Sequence, residues 1–314
     1  LRRMREDSIA EVRRLLNTLQ YPAAETVALI GNIAGQPAQF SIDDAHEALW
    51  AAKLRTNDTK PERYFSPGGQ HHGVHTLAYW LSLFEQLKRD LPRLQTLLEG
   101  TSSGTARPPL AVFPQHGTSV LLLAGRALGD TAGTHLFQPH RNALSGQTRW
   151  AWPADAPVPA ANKYRVRELR PHKDEDAACL LVTLTADIER HRLPATCLSS
   201  DAFVVPTLQI IGPAFSKDCI QHPDDLKVLG RTVDEAMRIL QDEWHVRRVY
   251  LFVCAPASAV VVVGQKMQAR HHATYVVHEA LTGSGSPYEA TIELSATLVR
   301  ELVSGQGHSY SLQP

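Results

Sequence analysis

No stretch of this chain approaches the roughly 20 consecutive apolar residues that a membrane-spanning helix needs; its longest apolar runs are of strand length. No sign of charge is in excess either. Lys plus Arg and Asp plus Glu stand at 32 each, so no global field draws the chain to nucleic acid or an anionic membrane, and any nucleotide site must be local. Cysteine is scarce. Cys179, Cys197, Cys219 and Cys254 form no CxxC pair and lie in or beside expected strands, which suits reduced, buried thiols in a cytoplasmic protein. No motif nearby supports a Cys-dependent protease. The opening Leu1-Arg2-Arg3-Met4 has no apolar signal-peptide core behind it, and the chain reads as the C-terminal part of a longer protein.

The signatures of several chemistries are also missing. The phosphate-loop pattern GxxxxGK[ST] is absent, no GxGxxG follows a strand (Gly283-Ser284-Gly285 falls in an expected loop), and no paired Asp/Glu and Lys set marks a nuclease. Gly100-Thr101-Ser102-Ser103-Gly104 spells GxSxG, but it follows an expected helix and precedes a strand, the reverse of a nucleophile elbow. His71 and His75 are four apart, yet no carboxylate is near and Gly68, Gly69 and Gly73 make the segment a polar loop; His271-His272 is weaker still. The chain reads as a binder. No catalytic residue, metal or cofactor is assigned to it.

What is present is a duplication. With 314 residues, 43% apolar, the chain is long enough for two domain-sized cores. Leu110-Ala111-Val112-Phe113 leads to Thr118 through Gly125, and Leu251-Phe252-Val253-Cys254 leads to Ala257 through Gly264. At one constant offset Ser119 aligns with Ser258, Gly125 with Gly264, His135 through Gln138 with Thr274 through Val277, and Arg149-Trp150-Ala151 with Tyr288-Glu289-Ala290. A ligand shared by two such units sits across both.

Periodicity predicts an amphipathic helix over 4–20, a strand at Val27–Ile30, and a helix from Ile42 to Trp50 with Ser41 as its N-cap. A helix over 75–98 should kink or split at Pro92, and a loop over 100–109 leads to a buried strand at Leu110–Phe113. In the second unit, strands are expected at 179–185, 207–211 and 249–254, with a helix over 231–244. Val260–Val263 favours a strand by propensity, but its counterpart Val120-Leu121-Leu122-Leu123 is good helix material, so 258–268 is assigned as helix. Alternating strands and helices predict an α/β fold, each unit a mainly parallel sheet flanked by helices. A linker helix fills 1–24, the first unit 25–171 and the second 172–314, with the boundary beyond the Pro- and Ala-rich segment 153–170.

In such sheets, ligands bind beyond the carboxyl ends of the strands, against the start of the next helix. That singles out Gln115, His116, Thr118 and Ser119 in the first unit, and Ala255, Pro256, Ala257 and Ser258 in the second. Unpaired amides near Ser119 and Ser258 would receive phosphates. Gln138, His140, Arg141 and Trp150, with His278, Glu279 and Tyr288 in the second unit, offer stacking faces and edge donors to a base. Lys217 is a further phosphate candidate, or a plain surface lysine.

The stretch Leu180 to Thr185, then Val205-Pro206-Thr207-Leu208, then Val249 to Ala259 with Gly264, then Thr274 to Glu279 and Tyr288, resembles the SAVED domain, as does Trp150-Ala151-Trp152. The resemblance covers about residues 105–300. It implies two fused CARF-like, Rossmann-like units forming a sensor of cyclic oligonucleotide second messengers, in a cyclase-linked (CBASS) or type III CRISPR antiphage system. It further implies a cyclic di- or trinucleotide bound in the cleft, head-to-tail self-association, and activation of an attached effector such as an endonuclease. Such a module would be cytoplasmic, with no membrane partner and nucleic acid reached only through the effector. No effector motif is found in this sequence. The alternatives are a ring nuclease that cleaves a cyclic oligoadenylate, since in-line positioning of a 2′-hydroxyl can suffice, and a structural module with no ligand.

Overall fold

A computed structural model describes residues 2–33, 36–38, 40–56, 62–67, 73–99, 107–140, 149–267, 273–280 and 286–312. The amphipathic helix expected at the start of the chain is α1 (Arg2–Thr18). After β1 (Glu25–Ile30) comes α2 (Ile42–Ala51), whose start is capped by Ser41, the hydroxyl accepting from the Asp44 amide at 3.2 Å. Next are β2 (Glu62–Arg63), α3 (Leu77–Glu99), β3 (Leu110–Gln115), α4 (Thr118–Leu128) and β4 (Thr134–Leu136). The strands form a four-stranded parallel sheet in the order β2-β1-β3-β4. Helix α3 runs unbroken through Pro92, against the expected split. The proline is exposed, so the carbonyl it leaves unpaired one turn earlier faces water.

The second unit holds β5 (Arg165–Arg170), β6 (Ala177–Thr183), β7 (Thr207–Ile211), α5 (Pro223–Arg238), β8 (Arg248–Cys254), α6 (Ala257–Lys266) and β9 (Thr274–Ala280). It ends with β10 (Tyr288–Leu294), β11 (Leu298–Glu301) and β12 (Ser309–Ser311). These strands build an eight-stranded sheet in the order β12-β11-β10-β9-β8-β6-β7-β5. Its centre, β9-β8-β6-β7, is parallel, and antiparallel strands extend both edges. Because β5 pairs with β7, the second sheet begins before residue 172 and the connection between sheets lies N-terminal to Arg165.

Helix α5 starts at Pro223, earlier than the expected 231. His222 Nδ1 accepts from the Asp224 amide (3.1 Å) while the Asp225 carboxylate accepts from the His222 amide (3.0 Å), a reciprocal cap with an unusual cap residue. Val260–Val263 lie in helix α6, as the duplication requires. One apolar core runs through both units, from Val27 and Leu83 to Leu251 and Ile292. At its centre α4 and α6 cross. A Cβ on Gly125 would fall on the Val261 carbonyl oxygen, and one on Gly264 on the Leu122 carbonyl oxygen, so the duplicated glycines set the contact distance between the units.

Candidate functional site

The turns that follow β3 and β8 have the same backbone: Gly117 lies at φ −60°, ψ 150°, and Pro256 at φ −61°, ψ 154°. Each stands at an N-cap, and neither has a side chain that accepts a hydrogen bond, so the first amides of α4 and α6 need acceptors from elsewhere. The opposite unit supplies them. Glu279, near the end of β9, accepts from the Thr118 amide (3.0 Å), the Ser119 amide (3.0 Å) and the Ser119 hydroxyl (2.7 Å). Gln138, just beyond β4, accepts through Oε1 from the Ser258 amide (3.2 Å) and hydroxyl (2.5 Å). A phosphate is expected from sequence at the helix starts near Ser119 and Ser258; the donors of these two residues themselves are not free for it. Both serines are fully buried and their donors are already taken across the unit boundary.

Beside these caps, at the carboxyl ends of β3 and β8, lies a cavity of about 290 Å³ lined by both units. Gln115, His116, Thr118, Gln138, Lys217, Ala255, Pro256 and Ala257 all line it, as sequence placed them at one site. So do Thr185, Cys254 and Arg149, which the sequence reading did not assign to the site. Arg149 was legible as the residue aligned with Tyr288. Among the described residues that line the cavity there are two cations, Lys217 and Arg149, and no carboxylate. These two cations attract an anion, against the Glu279 carboxylate that caps the Thr118 amide at the cavity edge. A larger groove, about 740 Å³, opens at the other ends of α4 and α6, between β4 and α5. No expected site residue lines it, and its lysines are paired, Lys266 with Asp130 (2.7 Å) and Asp234 (2.9 Å), and Lys227 with Asp224 (2.6 Å).

The imidazole of His116 is buried at the cavity wall. Its Nδ1 accepts from the Gly117 amide (2.7 Å), which leaves the proton on Nε2, 3.1 Å from the Tyr79 hydroxyl. Burial pushes its pKa down to about 3, so the ring is neutral at physiological pH. Gln115, 9% exposed, carries an Oε1 with no hydrogen-bond partner among the described residues. The arrangement can hold an anion on Lys217 and Arg149 and offer amide edges to a polar ring.

The other expected residues lie elsewhere. Trp150 is a core residue, its ring edge-on to Phe113 (5.3 Å) and Phe40 (5.8 Å), so it presents no face to a base. His278 stacks on Phe252 at 4.4 Å and Tyr288 meets the same ring edge-on at 5.6 Å. Phe252 and Tyr288 belong to a separate apolar cluster with Cys179, Leu181 and Cys197. Burial pushes the His278 pKa down to about 4 and the Tyr288 pKa up to about 12. His140 stands half-buried and edge-on to Trp152 (5.5 Å), outside the cavity lining. Arg141, like the loop residues Gly68–His72, Gly100–Gly104 and Gly283–Gly285, lies outside the described residues. Among the described residues no cluster of ligating side chains could hold a metal ion, and no helix is long and apolar enough to cross a membrane.

A family model described as the SMODS-associated and fused to various effectors sensor domain, SAVED, matches residues 91–294. The chain belongs to the SAVED family. This SAVED chain is similar in fold to the Acinetobacter baumannii Cap4 SAVED/CARF-domain containing receptor with the cyclic trinucleotide 3′3′3′-cAAA, at TM-score 0.54 and 13% identity over 92% of this chain and 56% of that one. It is likewise similar to the same receptor with 2′3′3′-cAAA, at TM-score 0.53 and 14% identity over the same shares. The SAVED chain thus spans little more than half the length of these receptors. No curated protein matches it.

Proposed function

We propose that this SAVED domain binds a cyclic di- or trinucleotide in the cavity between its two units, and that binding drives self-association which switches on an attached antiphage effector, an endonuclease foremost. The observation that carries the reading is the cavity itself: both units line it, at the carboxyl ends of β3 and β8, with Lys217 and Arg149 and no carboxylate among its described lining. Its volume of about 290 Å³ stands at the lower end of small-molecule sites, room for one nucleotide of a ring with the rest spread over the mouth. The Cap4 receptors that share the fold hold cyclic trinucleotides, which supports the ring size.

The test is a thermal-shift panel of cyclic di- and trinucleotides, followed by light scattering on any ligand that raises Tm. One ligand that stabilises the chain and enlarges its assembly supports the reading. No shift with any ligand overturns it, and consumption of labelled cyclic oligoadenylate turns the assignment to a ring nuclease.

A further inference from the structure

The two duplicated helix starts are chemically unequal. At α4 the two oxygens of the Glu279 carboxylate cover both leading amides, Thr118 through Oε1 and Ser119 through Oε2. At α6 the Gln138 carboxamide has a single acceptor, spent on Ser258, while its Nε2 donates to the Pro139 carbonyl at 3.2 Å. Among the described residues no acceptor is given to the Ala257 amide, the counterpart of Thr118, and Ala257 lines the cavity. Gln115 lines the same cavity, nine-tenths buried, and its Oε1, closed to solvent, has no donor among the described residues. A helix start with one free amide and a neutral cap attracts an anion, and one whose amides hold an internal carboxylate repels a second.

Resting on the reading above, we infer that Glu279 acts as a built-in substitute for a phosphate and makes the site one-sided. One phosphodiester of the ligand seats at the start of α6, on the Ala257 amide with Arg149 and Lys217, and a hydroxyl or amino group of the same nucleotide supplies the donor that Gln115 Oε1 lacks once that side chain turns toward the cavity. The α4 side accepts no phosphate. Glu279 and Gln138 are then the specificity-determining pair: a ligand that places phosphates symmetrically over both helix starts is excluded by charge.

Gln138→Glu tests this. It gives α6 a carboxylate cap like that of α4, suited to a helix N-terminus, but removes the Nε2 donor to the Pro139 carbonyl, so Tm is measured first to show that the variant folds. Affinity of the full chain for the tightest of 3′3′3′-cAAA, 2′3′3′-cAAA, cyclic di-AMP and cyclic di-GMP, measured by calorimetry, should fall at least about tenfold from repulsion at the seat. The counterpart Glu279→Gln should lower Tm and tighten the same ligand about threefold or more, as one negative charge leaves the site. Wild-type binding with an unchanged Kd in both variants overturns the one-sided site alone. No binding by the wild type overturns the sensor reading and this inference together. If Gln138→Glu does not fold, the Glu279→Gln affinity decides.

Discussion

Gly125 and Gly264 face each other where α4 crosses α6, and neither has room for a Cβ. In each case the atom in the way is a backbone carbonyl oxygen of the facing helix, Val261 or Leu122, which cannot turn aside as a side chain end can. Replacing either glycine with alanine would separate two helices that lie inside one continuous core. Gly125→Ala and Gly264→Ala should each cost about 3 kcal/mol, read as a lower denaturant midpoint. A loss within 0.5 kcal/mol, the range of ordinary surface changes, would show that the helices slide apart freely.

The duplication was readable because residues that cannot vary at a helix crossing, Gly125 and Gly264, recur at the same distance from the same strands. It also settled Val260–Val263, where propensity pointed to a strand. The added antiparallel strands were less readable. Arg165–Arg170 is charged and half exposed, so it read as linker although it pairs with β7. The caps were invisible because each joins residues far apart in sequence, 120 positions for Gln138 with Ser258 and 160 for Glu279 with Ser119. From sequence those residues read as free donors and ligand contacts; the fold spends them on one another.

Trp150 shows how a base-stacking reading and a core reading part in experiment. Its ring is enclosed by Phe40 and Phe113 and is 2% exposed. Trp150→Ala should therefore cost about 3–5 kcal/mol. The smaller Trp150→Phe should lower Tm while keeping the Kd of the chosen cyclic nucleotide within about twofold, since the ring touches core and not cavity. A Kd that rises tenfold at unchanged Tm would return Trp150 to the ligand.

Acid should destabilise the domain early. His116 and His278 are held neutral, with pKa values pushed by burial to about 3 and about 4 from the ordinary 6.5. Below pH 6.5 the unfolded chain takes up two protons that the folded chain refuses, so stability falls as pH falls, through the window from 6.5 down to about 4. The slope is about 1.4 kcal/mol per pH unit for each imidazole. Urea midpoints at pH 7.5, 6.0 and 5.0 should decline steadily, and His278→Phe, which keeps the stack on Phe252, should make the decline shallower. A flat midpoint across that window would mean that both rings charge freely in the folded state.

Arg149 and Lys217 approach the cavity from different units, and neither forms an ion pair among the described residues. A cation with no internal partner contributes little to stability, so its removal should leave Tm nearly unchanged while weakening an anionic ligand. Losing one charged hydrogen bond to a phosphate costs about 1.5–3 kcal/mol, which is about tenfold or more in Kd. Arg149→Ala and Lys217→Ala should each show that loss in calorimetry with 3′3′3′-cAAA, and the remaining affinity should depend less on salt than the wild type's. Arg149→Lys should recover only part of it, because a single ammonium cannot match the fork of a guanidinium on a phosphodiester. If both alanine variants bind as the wild type does, the ligand's charge is held somewhere other than this cavity.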